Sequence, residues 1–254
     1  EKTAPYICFW EGGRQERFKT VNYEAVNAFR LEIERAGIIS SYSQTKLFQV
    51  NDTLLALMVN HEYKASAIDA KDLTDATIRG RAEVNNIVKG LRKLGGIWAD
   101  LLLVATCEYI GVREGRRPHG HYTVSKEDLA SGKTHHDAVC KVYFGIDIHS
   151  TNGTVSTGQD TSVHGLTMQP YDIPMRALIA KDVSNLLLAG RCISGDFVAH
   201  SSYRVTGTAA ATGQAAGVAA ALSAEKNLAP IFLEWRDIET GLNAIKENSI
   251  TEVI

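Results

Sequence analysis

Two side chains suited to acid–base and anion chemistry stand just before a stretch of very small residues. His200 and Arg204 are four residues apart, with Ser201, Ser202 and Tyr203 between them. An imidazole exchanges a proton near neutral pH, and a guanidinium binds carboxylates through several N–H donors. A His and an Arg beside a helix N-terminus therefore form a reasonable oxyanion or carboxylate site. Taken singly, the His also fits a structural role and the Arg a surface ion pair.

The helix predicted after this pair spans about 207–224 and is built almost entirely from Ala, Gly, Thr and Val. The first turn of a helix has N–H groups without a partner and a partial positive charge, which favour an anion. Small side chains would let those donors approach a flat ligand closely. Gly213 and Gly217 share one face, on which another backbone can pack. Composition alone also fits a helix buried against a sheet, and this simpler interpretation stays open here.

Bulk composition is that of an ordinary globular protein. The chain has 254 residues, of which 44% are hydrophobic and 22% charged, and its formal net charge is -2. This balance favours no nucleic-acid partner. The apolar runs at 97–105 and 206–222 are shorter than the roughly 20 residues that cross a bilayer, so we expect no membrane span. Four separated cysteines without a CxxC motif suit a reducing compartment, which predicts a cytoplasmic protein.

Metal and hydrolase chemistry have less support. The histidines form two close pairs, His119 with His121 and His135 with His136, but no carboxylate has ligand spacing to either pair and no HExxH motif is present. No G-x-S-x-G motif is present either, which argues against a serine hydrolase. We therefore predict no metal site.

Hydrophobic periodicity and turn residues predict the elements that must position the His–Arg pair. The segment 97–106 reads either as a buried strand or as a helix end, and 189–206 as a polar loop. The other predicted elements are a strand at 5–13, a helix at 22–37, a hairpin at 46–60, a helix at 74–94, a charged loop at 111–122, a short helix at 125–132, a strand at 138–149, a polar loop at 150–162, strands at 173–179 and 185–190, and a final helix at 234–247.

The order of these elements predicts a fold that combines α+β and α/β parts. Residues 1–106 read as an α+β domain, and 165–224 as the strand, loop and helix layers of an α/β domain. In open α/β sheets a ligand binds beyond the carboxyl ends of the strands, beside the N-termini of the helices that follow. The predicted site lies at such a position.

The motif that carries most information is "VSNLLLAGRCISGDFVAHSSYRVTGTAAATGQAAGVAAAL", residues 183–222. It resembles the C-terminal signature of FAD-dependent oxidoreductases of the glutathione-reductase structural superfamily, which have fumarate reductase-like relatives. "GVREGRR" at 111–117, "VYFGIDIH" at 142–149 and "FWEGG" at 9–13 are similar to further segments of that family, in the same order. The resemblance extends over nearly the whole chain. It implies a substrate-binding or cap domain at 1–160 and the C-terminal part of a Rossmann-like FAD/NAD(P)-binding domain at 161–254.

The resemblance also implies a cofactor, FAD, and residues that bind it. The N-terminus of the small-residue helix would point at the pyrimidine edge of the flavin, with the N–H groups of Thr208, Ala209 and Ala210 as donors. Gly190 and Arg191 would lie near the ribityl or phosphate side of the cofactor.

The residues implied to act on substrate are His200 and Arg204, which resemble a His and an Arg that bind a substrate carboxylate or move a proton in the fumarate reductase-like relatives. They would face the isoalloxazine during hydride transfer between a small organic substrate and flavin N5. Arg113, Arg116 and Arg117 would line the same cleft, although a solvated basic loop is an equally simple interpretation of these three. The substrate pocket would be formed largely by 1–160.

One motif of the family is absent. No G-x-G-x-x-G sequence is present to hold the FAD pyrophosphate. We therefore expect this chain to correspond to the C-terminal portion of such an enzyme, with a complete FAD site that needs sequence upstream of Glu1 or a separate FAD-binding chain. Alone it would hold FAD poorly. The alternative is a non-catalytic module or subunit that binds a partner, and a homo-oligomer is compatible with either hypothesis.

Overall fold

A computed structural model describes residues 4–8, 10–11, 20–148, 162–163 and 166–251. The chain divides into two compact units, Glu1–Val112 and Arg113–Ile254. The boundary predicted at 160–161 falls inside the second unit, because the strand Ala138–Val142 pairs with the strand Tyr171–Pro174 across it. The assignment of one part to substrate and the other to FAD stays a prediction.

The described residues of the first unit form two α-helices and two antiparallel strand pairs, the second of which is a hairpin. Its elements are β1 (Trp10–Glu11), β2 (Thr20–Val21), α1 (Tyr23–Arg35), β3 (Lys46–Gln49), β4 (Leu55–Met58) and α2 (Ala70–Leu94). β1 pairs with β2 and β3 with β4, both antiparallel. The hairpin predicted at 46–60 is confirmed, and its turn forms where expected, because the Asn51 side chain accepts hydrogen bonds from the N–H groups of Thr53 and Leu54 at 3.0 and 2.9 Å.

Both helices of this unit follow their sequence signals closely. α1 begins after Asn22, whose side chain accepts from two backbone N–H groups, and Gly37 beyond its end has a φ of +76°. α2 begins at Ala70 rather than at Thr74, because Asp69 supplies the N-terminal cap through a hydrogen bond from the N–H of Asp72. The core between the helices and the second hairpin consists of Phe29, Ile33, Leu47, Val59, Ile87, Leu91 and Trp98.

The buried strand considered for 97–106 is absent. A single 3-10 turn, Gly96–Trp98, follows α2, and no regular structure follows it up to residue 106. Trp98 is buried, but Leu102 and Val104 are 71% and 77% exposed. In this run Trp98 lies in the core of the unit and Leu101 packs against that core, whereas the residues after Leu101 are largely exposed.

The second unit carries the remaining elements: α3 (Lys126–Ser131), β5 (Ala138–Val142), β6 (Ser162–Val163), β7 (Leu166–Thr167), β8 (Tyr171–Pro174), α4 (Phe197–Tyr203), α5 (Thr206–Lys226) and α6 (Trp235–Thr251). β5 pairs with β8 and β6 with β7, again antiparallel. The capping box predicted at Ser125 and Asp128 is confirmed. α5 and α6 run close together, since a Cβ added to Gly241 would lie 2.6 Å from the Val218 side chain.

The two strands predicted before the site are only partly confirmed. β8 ends at Pro174 and the chain turns into a 3-10 helix, Met175–Leu178, because Asp137 accepts hydrogen bonds from the N–H groups of Met175 and Arg176. The segment 185–190 does not form a continuous strand, and Leu187 makes a single antiparallel bridge with Ile179.

The fold class is thus mixed helix and sheet, and every strand pair in the described ranges is antiparallel. The Rossmann-like character of the C-terminal part stays a prediction. No helix among the described residues has the length and apolar character needed to cross a membrane.

Candidate functional site

His200 lies on a short helix, not on the polar loop predicted for this segment. α4 starts after Asp196, whose side chain accepts a hydrogen bond from the N–H of Ala199 at 2.8 Å. Arg204 follows at its C-terminal cap, with its N–H donating to the His200 carbonyl at 3.2 Å. An Asp before the apolar pair Phe197 and Val198 is a helix-start signal, so a helix beginning after Asp196 could have been predicted from the sequence.

The His200 side chain is almost completely buried. It is 2% exposed, and its Nδ1 atom has no hydrogen-bond partner in the part of the chain that the structure describes. Its ring meets Tyr203 edge to face, with centroids 5.4 Å apart. Burial lowers the pKa of His200 below its ordinary value, and the charge of Arg204 lowers it further. Its environment therefore favours the neutral ring, and Nδ1 is a buried polar atom without a described partner.

The lowered pKa of His200 predicts how stability depends on pH. The unfolded chain binds a proton at His200 near pH 6.5, and the folded chain does so only at lower pH. The contribution of His200 is thus fully present above about pH 6.5 and is lost as the pH falls through the folded pKa. We expect the unfolding free energy of His200→Phe to fall less between about pH 7 and pH 5 than that of the unchanged protein, because the variant has no imidazole to protonate on unfolding. Urea unfolding at both pH values measures this, with the exposed His121→Phe as control.

Arg204 is a cation that has lost most of its contact with water. Its side chain is 10% exposed, and its Nη2 donates to the backbone carbonyl of Asp147 at 2.6 Å. The carboxylate of Asp147 lies 4.0 Å away, at the limit of an ion pair, and no other acidic side chain in the described ranges pairs with it. Burial lowers the pKa of Arg204, and the nearby charge of Arg113 adds to this. A guanidinium with such incomplete pairing is suited to an anionic ligand.

Two of the three predicted loop arginines contact residues next to this pair, Arg113 through Asp147 and Arg117 through Phe197. Arg113 Nη1 lies 3.1 Å from the Asp147 carboxylate, so a single aspartate stands between Arg113 and Arg204. Arg117 forms an ion pair with Glu114 and lies over the ring of Phe197, 5.9 Å from its centroid.

Arg116 is exposed and makes no ion pair with a described residue. For Arg116 the solvated-loop interpretation therefore remains as simple as a role in the cleft, whereas Arg113 contacts a residue that also holds Arg204. No sequence signal pointed to Asp147, which lies 34 residues from Arg113. Glu114, in contrast, stands three residues before Arg117 in the same GVREGRR motif, so their ion pair could have been found from the spacing.

The N-terminus of α5 has free N–H groups, but not all of those predicted. Val205 is extended before the helix and no described side chain caps it. The N–H of Ala209 donates to the Val205 carbonyl at 2.9 Å, so it is not a free donor. The N–H of Ala210, one residue further on, belongs to the regular i to i−4 ladder. The donors free for a ligand are those of Thr206, Gly207 and Thr208, of which only Thr208 was predicted.

Gly190 lies directly against α5. It has a φ of +63°, its N–H donates to Thr212 Oγ1 at 2.9 Å, and a Cβ at this position would lie 3.5 Å from the Cβ of Ala209. The left-handed backbone explains why glycine occupies the position. Arg191 follows it and is exposed. Two of the residues predicted to bind cofactor, Gly190 and Ala209, are therefore brought into contact.

One long face of α5 is uncovered in the second unit. An added Cβ at Gly213 or Gly217 would have no heavy atom within 4 Å. The close packing predicted at these two glycines is therefore not made by the described residues. The exposed small or uncharged positions of the helix are Thr206, Gly207, Ala210, Gly213, Gln214, Gly217, Ala220, Ala221 and Ala224, and the charged Glu225 and Lys226 at its end are exposed as well.

Within the described ranges, no group of three or more His, Cys, Asp or Glu side chains is placed to hold a metal ion. Among the residues that the structure describes, the site thus consists of a buried His, a desolvated Arg, a basic loop and a helix N-terminus.

Comparison with known protein families identifies a match over most of the chain. The family model described as FAD dependent oxidoreductase matches residues 8–242 of the chain. No curated protein and no solved structure matches it.

Proposed function

The chain belongs to the FAD dependent oxidoreductase family, and from this premise we propose that it is the substrate-binding and flavin-capping portion of such an enzyme. The observation that carries the proposal is the pairing of a buried His200 and a desolvated Arg204 beside the uncapped start of α5. When bound, FAD would supply hydride transfer between flavin N5 and a small organic substrate.

The residues present fit the electron-rich edge of a flavin. Thr206, Gly207 and Thr208 offer backbone N–H groups that have no carbonyl partner in the helix. These donors and the helix dipole would stabilise negative charge on a flat ligand, at no cost of reorganisation. Gly190 and Arg191 would lie along the ribityl or phosphate side, and the missing side chain of Gly190 leaves the start of α5 accessible.

The substrate in this proposal carries an anionic group such as a carboxylate. Arg204 would bind it, because its N–H donors are removed from water and only one of them has a hydrogen-bond acceptor among the described residues. Arg113, Arg116 and Arg117 would attract the anion, with Arg113 the nearest through its contact with Asp147. His200 would orient the substrate or exchange a proton with it through its unpartnered Nδ1.

The direct test is to produce the chain together with its natural upstream sequence and to record a flavin spectrum. The expected result is a yellow protein that releases FAD on denaturation. A colourless protein with no FAD in the denatured supernatant contradicts the proposal. The isolated 254-residue chain serves as the comparison, and we expect it to retain little flavin.

The uncovered face of α5 supports a second part of the proposal, a partner. Nine exposed small or uncharged positions leave an apolar helix half in solvent, although such a helix is normally buried. We propose that an FAD-binding segment carrying the missing phosphate loop covers this face, either in the same polypeptide or as a separate chain. If no flavoprotein associates through this face, the alternative of a non-catalytic module is favoured. We also propose that the protein is cytoplasmic and forms a homo-oligomer.

Gly217→Leu separates folding from this association. The added side chain meets no described heavy atom within 4 Å of its Cβ, and leucine favours a helix by up to about 1 kcal/mol over glycine. We expect an unchanged or higher melting temperature but loss of FAD retention in the protein made with its upstream sequence. Circular dichroism and flavin content measure the two effects.

The matched control is Gly241→Leu, which would clash with Val218 and lower stability instead. Full flavin retention in Gly217→Leu would show that this face is not covered by the FAD-binding segment.

A further inference from the structure

Tyr203 links the two parts of the candidate site. Its ring is fully buried and meets His200 edge to face at 5.4 Å. Its hydroxyl donates to the carbonyl of Ile193 at 3.0 Å. The same side chain therefore contacts α4, which carries the histidine, and the segment that follows the Gly190–Cys192 turn.

The segment 193–195 is shaped around this tyrosine. A Cβ on Gly195 would lie 2.5 Å from both Cε1 and the hydroxyl oxygen of Tyr203, a distance that real side chains do not adopt. The backbone of the segment is also held from both sides, because Ser194 donates to the Ala177 carbonyl and accepts from the N–H of Val124, each at 3.0 Å. The tyrosine ring consequently has little freedom to move away from His200.

We propose that Tyr203 is a positioning residue for His200, and that it fixes the imidazole by packing against its edge while its hydroxyl locks the ring to the Ile193–Gly195 backbone. The inference rests on the proposed function for its purpose, since it assumes that His200 faces a substrate. The claim that Tyr203 positions the imidazole does not depend on the proposed function, because the orientation and solvation of the His200 ring are measurable without flavin. Burial of the imidazole depends on the ring that covers it, so a looser Tyr203 admits water and changes the proton affinity of His200.

Tyr203→Phe and Tyr171→Phe form a matched pair of variants. Both tyrosines are fully buried in the same core and each donates one hydroxyl hydrogen bond, Tyr171 to Ser202 Oγ at 3.2 Å. Of the two, Tyr203 alone makes a ring contact with His200 among the described residues. The charged groups that act on His200, namely Arg204, Glu114 and Arg117, are retained in both variants.

NMR titration of the His200 ring in the 254-residue chain is the measurement. We expect Tyr203→Phe to raise the titration midpoint by about half a pH unit, as water reaches the imidazole, and Tyr171→Phe to leave it unchanged despite a similar fall in melting temperature. Gly195→Ala, which displaces the Tyr203 ring without altering its chemistry, is expected to raise the midpoint as well.

Equal midpoints in the two Phe variants would overturn the proposal, and so would an unchanged midpoint in Tyr203→Phe. The pH profile of flavin reduction in the loaded protein gives a second reading, which should shift in parallel with the His200 midpoint. If the chain proves to carry no flavin, the NMR result still decides whether Tyr203 positions His200, so the two failures are distinguishable.

Discussion

Replacing Arg204 with methionine is expected to weaken carboxylate binding by about 10- to 100-fold while leaving the unliganded protein at least as stable. The first effect follows from the loss of a charge-assisted hydrogen-bond donor, worth about 1.5–3 kcal/mol. The second follows from the pairing of Arg204, which is 10% exposed and, among the described residues, has only a carbonyl at 2.6 Å and a carboxylate at 4.0 Å. A cation held in this way costs desolvation free energy that such contacts do not fully offset.

Removal of Arg204 does not leave the Asp147 carboxylate without an ion-pair partner. The Asp147 carboxylate keeps Arg113 at 3.1 Å, so no unpaired acid is left behind. The buried methionine also contributes apolar contacts, and we expect the free energy of unfolding to rise by up to about 1 kcal/mol. An increase in stability combined with a loss of binding is typical of a residue that serves a site rather than the fold.

Calorimetric titration with sodium succinate at constant ionic strength measures the binding, and urea unfolding measures the stability. The control is Arg116→Met, which removes an exposed arginine of the same basic loop. It should change succinate binding little beyond the loss of a screened surface charge. Equal loss of binding in the two variants would show that the anion is attracted by the loop as a whole and not bound at Arg204.

Sequence reasoning found this pair because its spacing and its position before a helix are local features. His200 and Arg204 are four residues apart on one chain segment, so their proximity needed no knowledge of the fold. Arg113 was placed near them only through a family resemblance, since about 90 residues separate it from Arg204. The structure brings the two together through Asp147, which lies in the VYFGIDIH segment but was not among the predicted site residues.

What the sequence could not supply was mainly long-range packing. The contact of Tyr203 with Gly195 depends on how α4 folds back over the preceding segment, and nothing in the local pattern specifies that distance. The donors at the start of α5 were predicted two residues too late. Their identity depends on where the helix begins, and helix boundaries are the least reliable feature of a sequence prediction. The mixed fold class could be predicted because the hydrophobic periodicity of α1, α2 and α6 is strong.

Thr206→Pro tests whether the free donors of α5 act on the flavin. Thr206 is the first residue of the helix, a position where proline is favoured because its N–H has no partner in the helix. Val205 before it is already extended, with φ −112° and ψ 158°, as a residue before proline should be. The substitution therefore removes one donor and preserves the helix. We expect flavin reduction in the loaded protein to slow by about 100-fold, comparable to the loss of one oxyanion donor elsewhere.

Thr206→Ala separates the backbone donor from the side chain in this experiment. It keeps the N–H and removes only an exposed hydroxyl, so we expect flavin reduction at close to the original rate. Circular dichroism must show equal helix content in the two variants, because a shortened α5 would also remove the donors of Gly207 and Thr208. With helix content equal, a slow Thr206→Pro beside a normal Thr206→Ala assigns the effect to the backbone N–H. Normal rates in both would place the flavin away from this end of α5, and would leave the buried His200 and Arg204 as the part of the site that acts on substrate alone.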